Sequence, residues 1–255
     1  MTNPAMGSLE WGLATKGALN TREKMAMVRN LAFVQSREAI DGLRAKLGWL
    51  RPNDVSLDAL MPKQTGLTKD ALDHAMETHE TPLLFHSWRT YFMGRLIAEN
   101  DGITHDAEML FAASILHDIA LTDSHQQSTD QCCFAISGGE RVRNFIQTCG
   151  HSHRIADQIG EAIALHLNMH VKRKLHGAEA YLLSRGAVCD LFGAGHRRIS
   201  KRTMSDLHER YPRHGAIEAL GFETLDHYEN SRPGFMTSLT GKKRPKTSMY
   251  DIFEL

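Results

Sequence analysis

Ala107-Glu-Met-Leu-Phe-Ala-Ala-Ser-Ile-Leu-His-Asp-Ile-Ala120 decides the fold. Apolar residues occupy nearly every position around the helical wheel, so a helix here has no face to offer water and has to be surrounded by other elements. Its neighbours carry the same three- and four-residue apolar spacing, and no alternating segment of strand length interrupts them. The reading is an all-α helical bundle with this segment as its central helix. Upstream, Thr81-Pro82 opens a helix that runs to Asn100-Asp101-Gly102. A short helix follows Thr68, and Asn20 with Glu23 caps a long one bearing Met27, Val28, Leu31, Val34, Ile40, Leu43 and Leu47. Downstream, Ser137-Gly-Gly-Glu140 reads as a capping box, Ser152 caps the next helix, and a further helix covers about 177–191. Two shorter helices cover 200–210 and 214–230. Three regions result: a helical extension packed on the core (1–80), the main bundle (81–231), and a loop-like tail (232–255).

Charge and composition exclude several classes of function. The 30 Lys and Arg balance 30 Asp and Glu, so there is no electrostatic excess to draw the chain to nucleic acid or anionic lipid. No run of eighteen apolar residues suggests a membrane span, and the N-terminus lacks the basic and apolar pattern of a secretory signal. Cys132, Cys133, Cys149 and Cys189 show no CxxC spacing and read as reduced thiols. A cytoplasmic protein handling a small molecule is expected, with homo-oligomerisation left open. The composition is unusual in its 15 His.

His117 and Asp118 lie inside the apolar segment, where Asp118 shares a face with Leu110, Phe111, Ser114 and Ile115. A carboxylate buried there needs a cation, and the adjacent imidazole points to a metal ion. His86, within Phe85-His-Ser-Trp-Arg-Thr-Tyr91, and Asp190, within Gly186-Ala-Val-Cys-Asp-Leu-Phe-Gly193, also fall on apolar helical stripes. His105-Asp106 repeats the dipeptide at the start of the same helix, where an acid suits the helix dipole, and is read as structural.

The order His86, His117-Asp118, Asp190 resembles the H…HD…D signature of the HD superfamily of metal-dependent hydrolases, an all-α fold. The stretch from Thr81 to Arg213 is similar to cyanamide hydratases and their bacterial HD-domain relatives through FHSWRTY, DAEMLFAASILHDI, SGGE, AIALH, GAVCDLFG and YPR. The resemblance implies that His86, His117, Asp118 and Asp190 hold one divalent transition metal, Zn²⁺ or Fe²⁺ first and Mn²⁺ or Co²⁺ also suited to the donor set. It places His166 of AIALH beside the site, with proton transfer, substrate binding or ligation of a second metal all open to it. Asp118 and His166 are the expected catalytic groups. Arg89, His170 and Thr122 are candidate substrate contacts, Arg89 being equally readable as one half of an internal ion pair.

The resemblance implies hydration or hydrolysis of a small molecule with a polarised carbon–nitrogen group by a metal-bound hydroxide. Phosphoester hydrolysis is the main alternative, with Arg89 or Lys172 holding negative charge; a di-iron oxygenase and a non-catalytic metal-containing module complete the set. Relatives often carry an acid just after the Phe that precedes the Gly-rich helix start, whereas this chain has Phe134-Ala135.

Overall fold

A computed structural model describes residues 4–122, 133–220 and 230–240. The helices among them are α1 (Leu9–Thr15), α2 (Thr21–Lys46), α3 (Gly66–Thr78), α4 (Thr81–Asp101), α5 (Ala107–Leu116), α6 (Phe134–Thr148), α7 (His153–Leu165), α8 (Arg173–Phe192), α9 (Lys201–Arg210), α10 (Ala216–Ala219) and α11 (Arg232–Thr240). The fold is all-α.

α5 is the centre. It packs against α3, α4, α7 and α8, and every residue from Met109 to Leu116 is buried. Asp106 caps it by accepting from the backbone N–H of Glu108 and Met109, the structural role expected of the first His-Asp pair. α4 begins with Pro82 in its first turn and ends at Gly102, whose φ of 62° supplies the left-handed cap.

α4 and α8 run in close contact. A Cβ on Gly186 would lie 2.1 Å from the Thr90 carbonyl oxygen, so only glycine lets the backbones meet there. That approach brings Asp190, one turn on, against His86 and Arg89 of α4. α6 and α7 form a second close pair. Ser137 sits within α6, not before it, and its hydroxyl donates to the Phe134 carbonyl. The glycines of SGGE serve packing instead: a Cβ on Gly139 would lie 2.5 Å from the Gly160 carbonyl oxygen of α7.

Two other expectations are corrected and one helix is added. The tail is helical from Arg232 to Thr240, because the fully buried Arg232 guanidinium donates to the Ala164 carbonyl and the Asn168 side chain and ties this segment to α7. The lead-in before Asn20 contains α1, with Leu9 and Trp11 buried beside Ile136 and Ala164 in a second apolar cluster. The long α2 has the expected Asn20–Glu23 capping box, yet Ile40, Leu43 and Leu47 of its apolar stripe are exposed and only Met27 and Asp41 are buried.

Candidate metal centre

His86 lies in the second turn of α4, and His117-Asp118 follow α5, where the chain leaves regular helix at Asp118 (φ −105°, ψ 15°) before a short 3₁₀ turn. Asp118 is thereby turned toward three imidazoles. Its Oδ2 is 3.4 Å from His86 Nε2 and 3.1 Å from His117 Nε2, and its Oδ1 is 3.8 Å from His166 Nε2. The four residues are 4% exposed or less. Among the described residues, His86, His117 and Asp118 form the group whose ligand atoms all lie within 4.8 Å of one another.

The hydrogen bonds of the rings fix which nitrogen faces the centre. Nδ1–H of His117 donates to the Ser114 carbonyl at 2.8 Å, Nδ1–H of His166 to the Ile163 carbonyl at 2.7 Å, and Nδ1–H of His86 to Asp190 Oδ2 at 2.7 Å. Each ring therefore presents Nε2 to the Asp118 carboxylate. His86 Nε2 is buried without a hydrogen-bond partner, a polar atom that a cation would satisfy. Burial alone would lower the His117 pKa, but Asp118 reverses this and holds it raised; His117, His86 and His166 in turn hold Asp118 well below the carboxylate range against its own desolvation. A divalent ion can take the place of that proton, so metal binding here is coupled to proton release. His166 is pushed down to about 3 by burial and by the charge on His117, and is neutral at ordinary pH. The residues fit a metal of mixed nitrogen and oxygen preference.

Asp190, expected as a fourth ligand, meets the Nδ1 side of His86. Oδ2 receives His86 Nδ1–H and Arg89 Nη2–H, and Oδ1 receives Arg89 Nε–H and Arg213 Nη1–H at 2.8 and 2.9 Å. Arg89 is fully buried, and its remaining donor group is spent on the Tyr211 and Pro212 carbonyls, so it braces Asp190. This gives YPR its local meaning: the segment returns after α9 to cap Arg89 and to supply Arg213. The His170 ring lies tilted against Phe33, centroids 4.6 Å apart, in a recess with Arg37 and Arg185, outside the three-ring cluster. The Thr122 hydroxyl donates to the Ile119 carbonyl, and the chain from Asp123 lies outside the described residues.

The sequence reading missed His79, the residue following α3. It is buried, with Nδ1 on the Thr78 hydroxyl and Nε2 unpartnered, and is close enough to feel the charges of Asp118 and His117 while burial pushes it down to about 4. Its position two residues before Thr81, at the joint between α3 and α4, is the signal available in the sequence.

His105→Ala and Asp106→Asn should leave metal content unchanged, since both side chains serve the start of α5. Asp106→Ala should cost about 1 kcal/mol of stability through the lost cap. Elemental analysis and urea unfolding check both expectations, and loss of metal from either His105→Ala or Asp106→Asn would mean that the wrong pair has been placed at the centre.

The HD domain family model matches residues 83–212, the span holding Asp118 and the three histidines around it. Two curated relatives from Saccharomyces cerevisiae, cyanamide hydratase DDI2 and cyanamide hydratase DDI3, are each 27% identical over 191 residues, covering 71% of this chain and 80% of theirs. No helix among the described residues is long and apolar enough to cross a membrane.

Proposed function

The chain belongs to the HD-domain family, and on that premise we propose that it is a metal-dependent hydratase or hydrolase acting on a small molecule with a polarised carbon–nitrogen group. The observation that carries the reading is the convergence of three Nε2 atoms on one buried carboxylate, in a chain resembling two cyanamide hydratases. We assign His86, His117 and Asp118 as ligands of one divalent ion, Zn²⁺ or Fe²⁺ before Mn²⁺ or Co²⁺. Such an ion supplies Lewis acidity and lets water lose a proton near neutral pH. Asp118 offsets part of the positive charge, and Asp190, clamped by Arg89 and Arg213, holds the His86 ring with Nε2 forward. Burial keeps bulk water from the ligands, which strengthens every charge interaction among them.

His166 is the group we assign to proton handling or substrate contact. Its Nδ1–H is committed to Ile163, so Nε2 carries a lone pair, and its depressed pKa keeps it neutral and able to accept a hydrogen bond or a proton. His166→Gln should retain the stoichiometry of bound metal while lowering turnover by on the order of 10²-fold. Metal analysis and rate on the same preparation check this; loss of half of a two-ion complement would replace the one-ion assignment.

The phosphoester alternative draws less support, because Arg89, which would have held the phosphate, is buried on Asp190. The free thiols Cys133, Cys149 and Cys189 suit a reducing, cytoplasmic setting. The deciding experiment assays protein of known metal content with cyanamide and small nitriles beside nucleotides and phosphomonoesters. Addition of water across the carbon–nitrogen bond is the expected result, and phosphate release without hydration would overturn it.

A further inference from the structure

Behind α7, between α2 and α8, lies a small recess lined by Arg37, His170, Tyr181 and Arg185 together with apolar side chains such as Phe33 and Val171. Arg185 is 8% exposed, and its Nε and Nη2 are buried without a hydrogen-bond partner. The guanidinium is held in place from behind: Gly195 has φ +95°, and a Cβ there would lie 2.5 Å from Arg185 Nη2.

A buried guanidinium needs an anion, and Asp41 and Asp101 nearby are engaged elsewhere. Asp41 receives Arg198 at 2.7 Å and lies within 4.0 Å of Arg37 and Arg44; Asp101 receives Arg198 at 2.7 Å and Arg37 at 3.3 Å. Glu38 pairs with Arg197 through Oε2 at 3.3 Å; its Oε1 is buried without a hydrogen-bond partner, but Glu38 is not among the charges that act most on Arg185. Arg37 completes its set by donating to the Tyr181 hydroxyl at 2.7 Å. Arg185 has no carboxylate partner among the described residues, and the charges it feels most, Arg37 and Arg198, are positive. The same field reaches His170, whose pKa is lowered first by burial and then by Arg37, Arg185 and Lys172.

We propose that this recess binds a monatomic anion, chloride under ordinary conditions, with Arg185 as its principal ligand. Size and charge choose the occupant. The cavity volume is ≈ 10 Å³, room for one compact body and too small for phosphate or sulfate; chloride is slightly larger than water, so size only limits the occupant and charge decides it. Water would fit but would leave the guanidinium charge uncompensated in an apolar wall, whereas a halide neutralises it and accepts from both orphaned N–H groups. The site is separate from the metal centre, although Ser184, which also lines the recess, donates to the His166 carbonyl at 3.0 Å and so connects the two through the chain after α7.

Crystals of the full chain grown or soaked in sodium bromide test this directly by anomalous scattering at the bromine edge. The expected result is a bromide peak in the recess, within contact distance of Arg185 Nε or Nη2. Water in its place, or a guanidinium turned to pair with Glu38, would overturn the proposal. In solution, replacing a bulky organic anion by chloride at constant ionic strength should raise the unfolding midpoint of the native protein by about 3 °C, and should leave Arg185→Met unmoved. An equal rise in both proteins would refute the site. Should Arg185→Met fail to fold, the bromide difference map on the unaltered chain decides alone.

Discussion

Asp118→Ala should purify with no more than trace divalent metal under conditions in which the native chain retains one ion. Asp118 is the one residue that all three imidazoles face, with Nε2 atoms at 3.1, 3.4 and 3.8 Å from its oxygens. Removing it deletes a ligand and the only negative charge of the His86–His117–Asp118 group together, so the loss of affinity should exceed the 10–100-fold that follows from disturbing groups behind a ligand. The stability of the metal-free protein should respond quite differently. Without Asp118, burial governs His117, whose pKa then falls and whose ring goes neutral, so no uncompensated charge is left in the core. Unfolding of the stripped native protein and stripped Asp118→Ala should therefore lie close together, while addition of Zn²⁺ should raise the midpoint of the native chain alone. Stoichiometric metal in Asp118→Ala, measured by atomic emission, would remove the centre from this position.

The sequence was informative where the physics is local. Apolar spacing around Ala107–Ala120 implied a helix enclosed on all sides, and the neighbours in the chain that cap α2, α4 and α5 were readable because a cap involves residues two to four apart. Burial of Asp118 followed from the same spacing. Contacts between distant elements were not readable in this way. Arg89 and Asp190 are 101 residues apart, and nothing within FHSWRTY distinguishes a guanidinium facing a ligand from one facing another helix. The orientation of α2 was hidden for the same reason: periodicity identifies an apolar stripe, but not whether any element covers it, and Ile40, Leu43 and Leu47 remain exposed. α11 was missed because Arg232-Pro-Gly reads as a breaker locally, and its anchor, the Arg232 contact to Ala164, spans 68 residues.

Asp190→Ala should produce the largest loss of stability of any single substitution at this centre. The carboxylate is 1% exposed and receives Arg89 through two donors, Arg213 and His86. Arg89 first, then the His86 hydrogen bond and Arg213, hold its pKa well below the usual value against the opposing effect of burial. Deleting it strands the fully buried Arg89 with only the Tyr211 and Pro212 carbonyls, and breaking a buried pair from one side costs about 3–5 kcal/mol. The sign with pH follows from the depressed pKa: the Asp190 contribution is complete above the unfolded value near pH 4 and is lost as pH falls toward the folded one, so native and Asp190→Asn stabilities should converge in acid. Asp190→Asn also separates the two roles open to this residue. Asn keeps the volume and one acceptor for His86 Nδ1–H, so if Asp190 positions the ring, the variant should still bind one ion with affinity lowered by about 10–100-fold. If Asp190 were itself a ligand, the Asn variant would lose metal as completely as Asp118→Ala. Calorimetric titration of both variants with Zn²⁺ distinguishes these outcomes, and the geometry favours the first, because Asp190 meets His86 at Nδ1 while Nε2 faces Asp118.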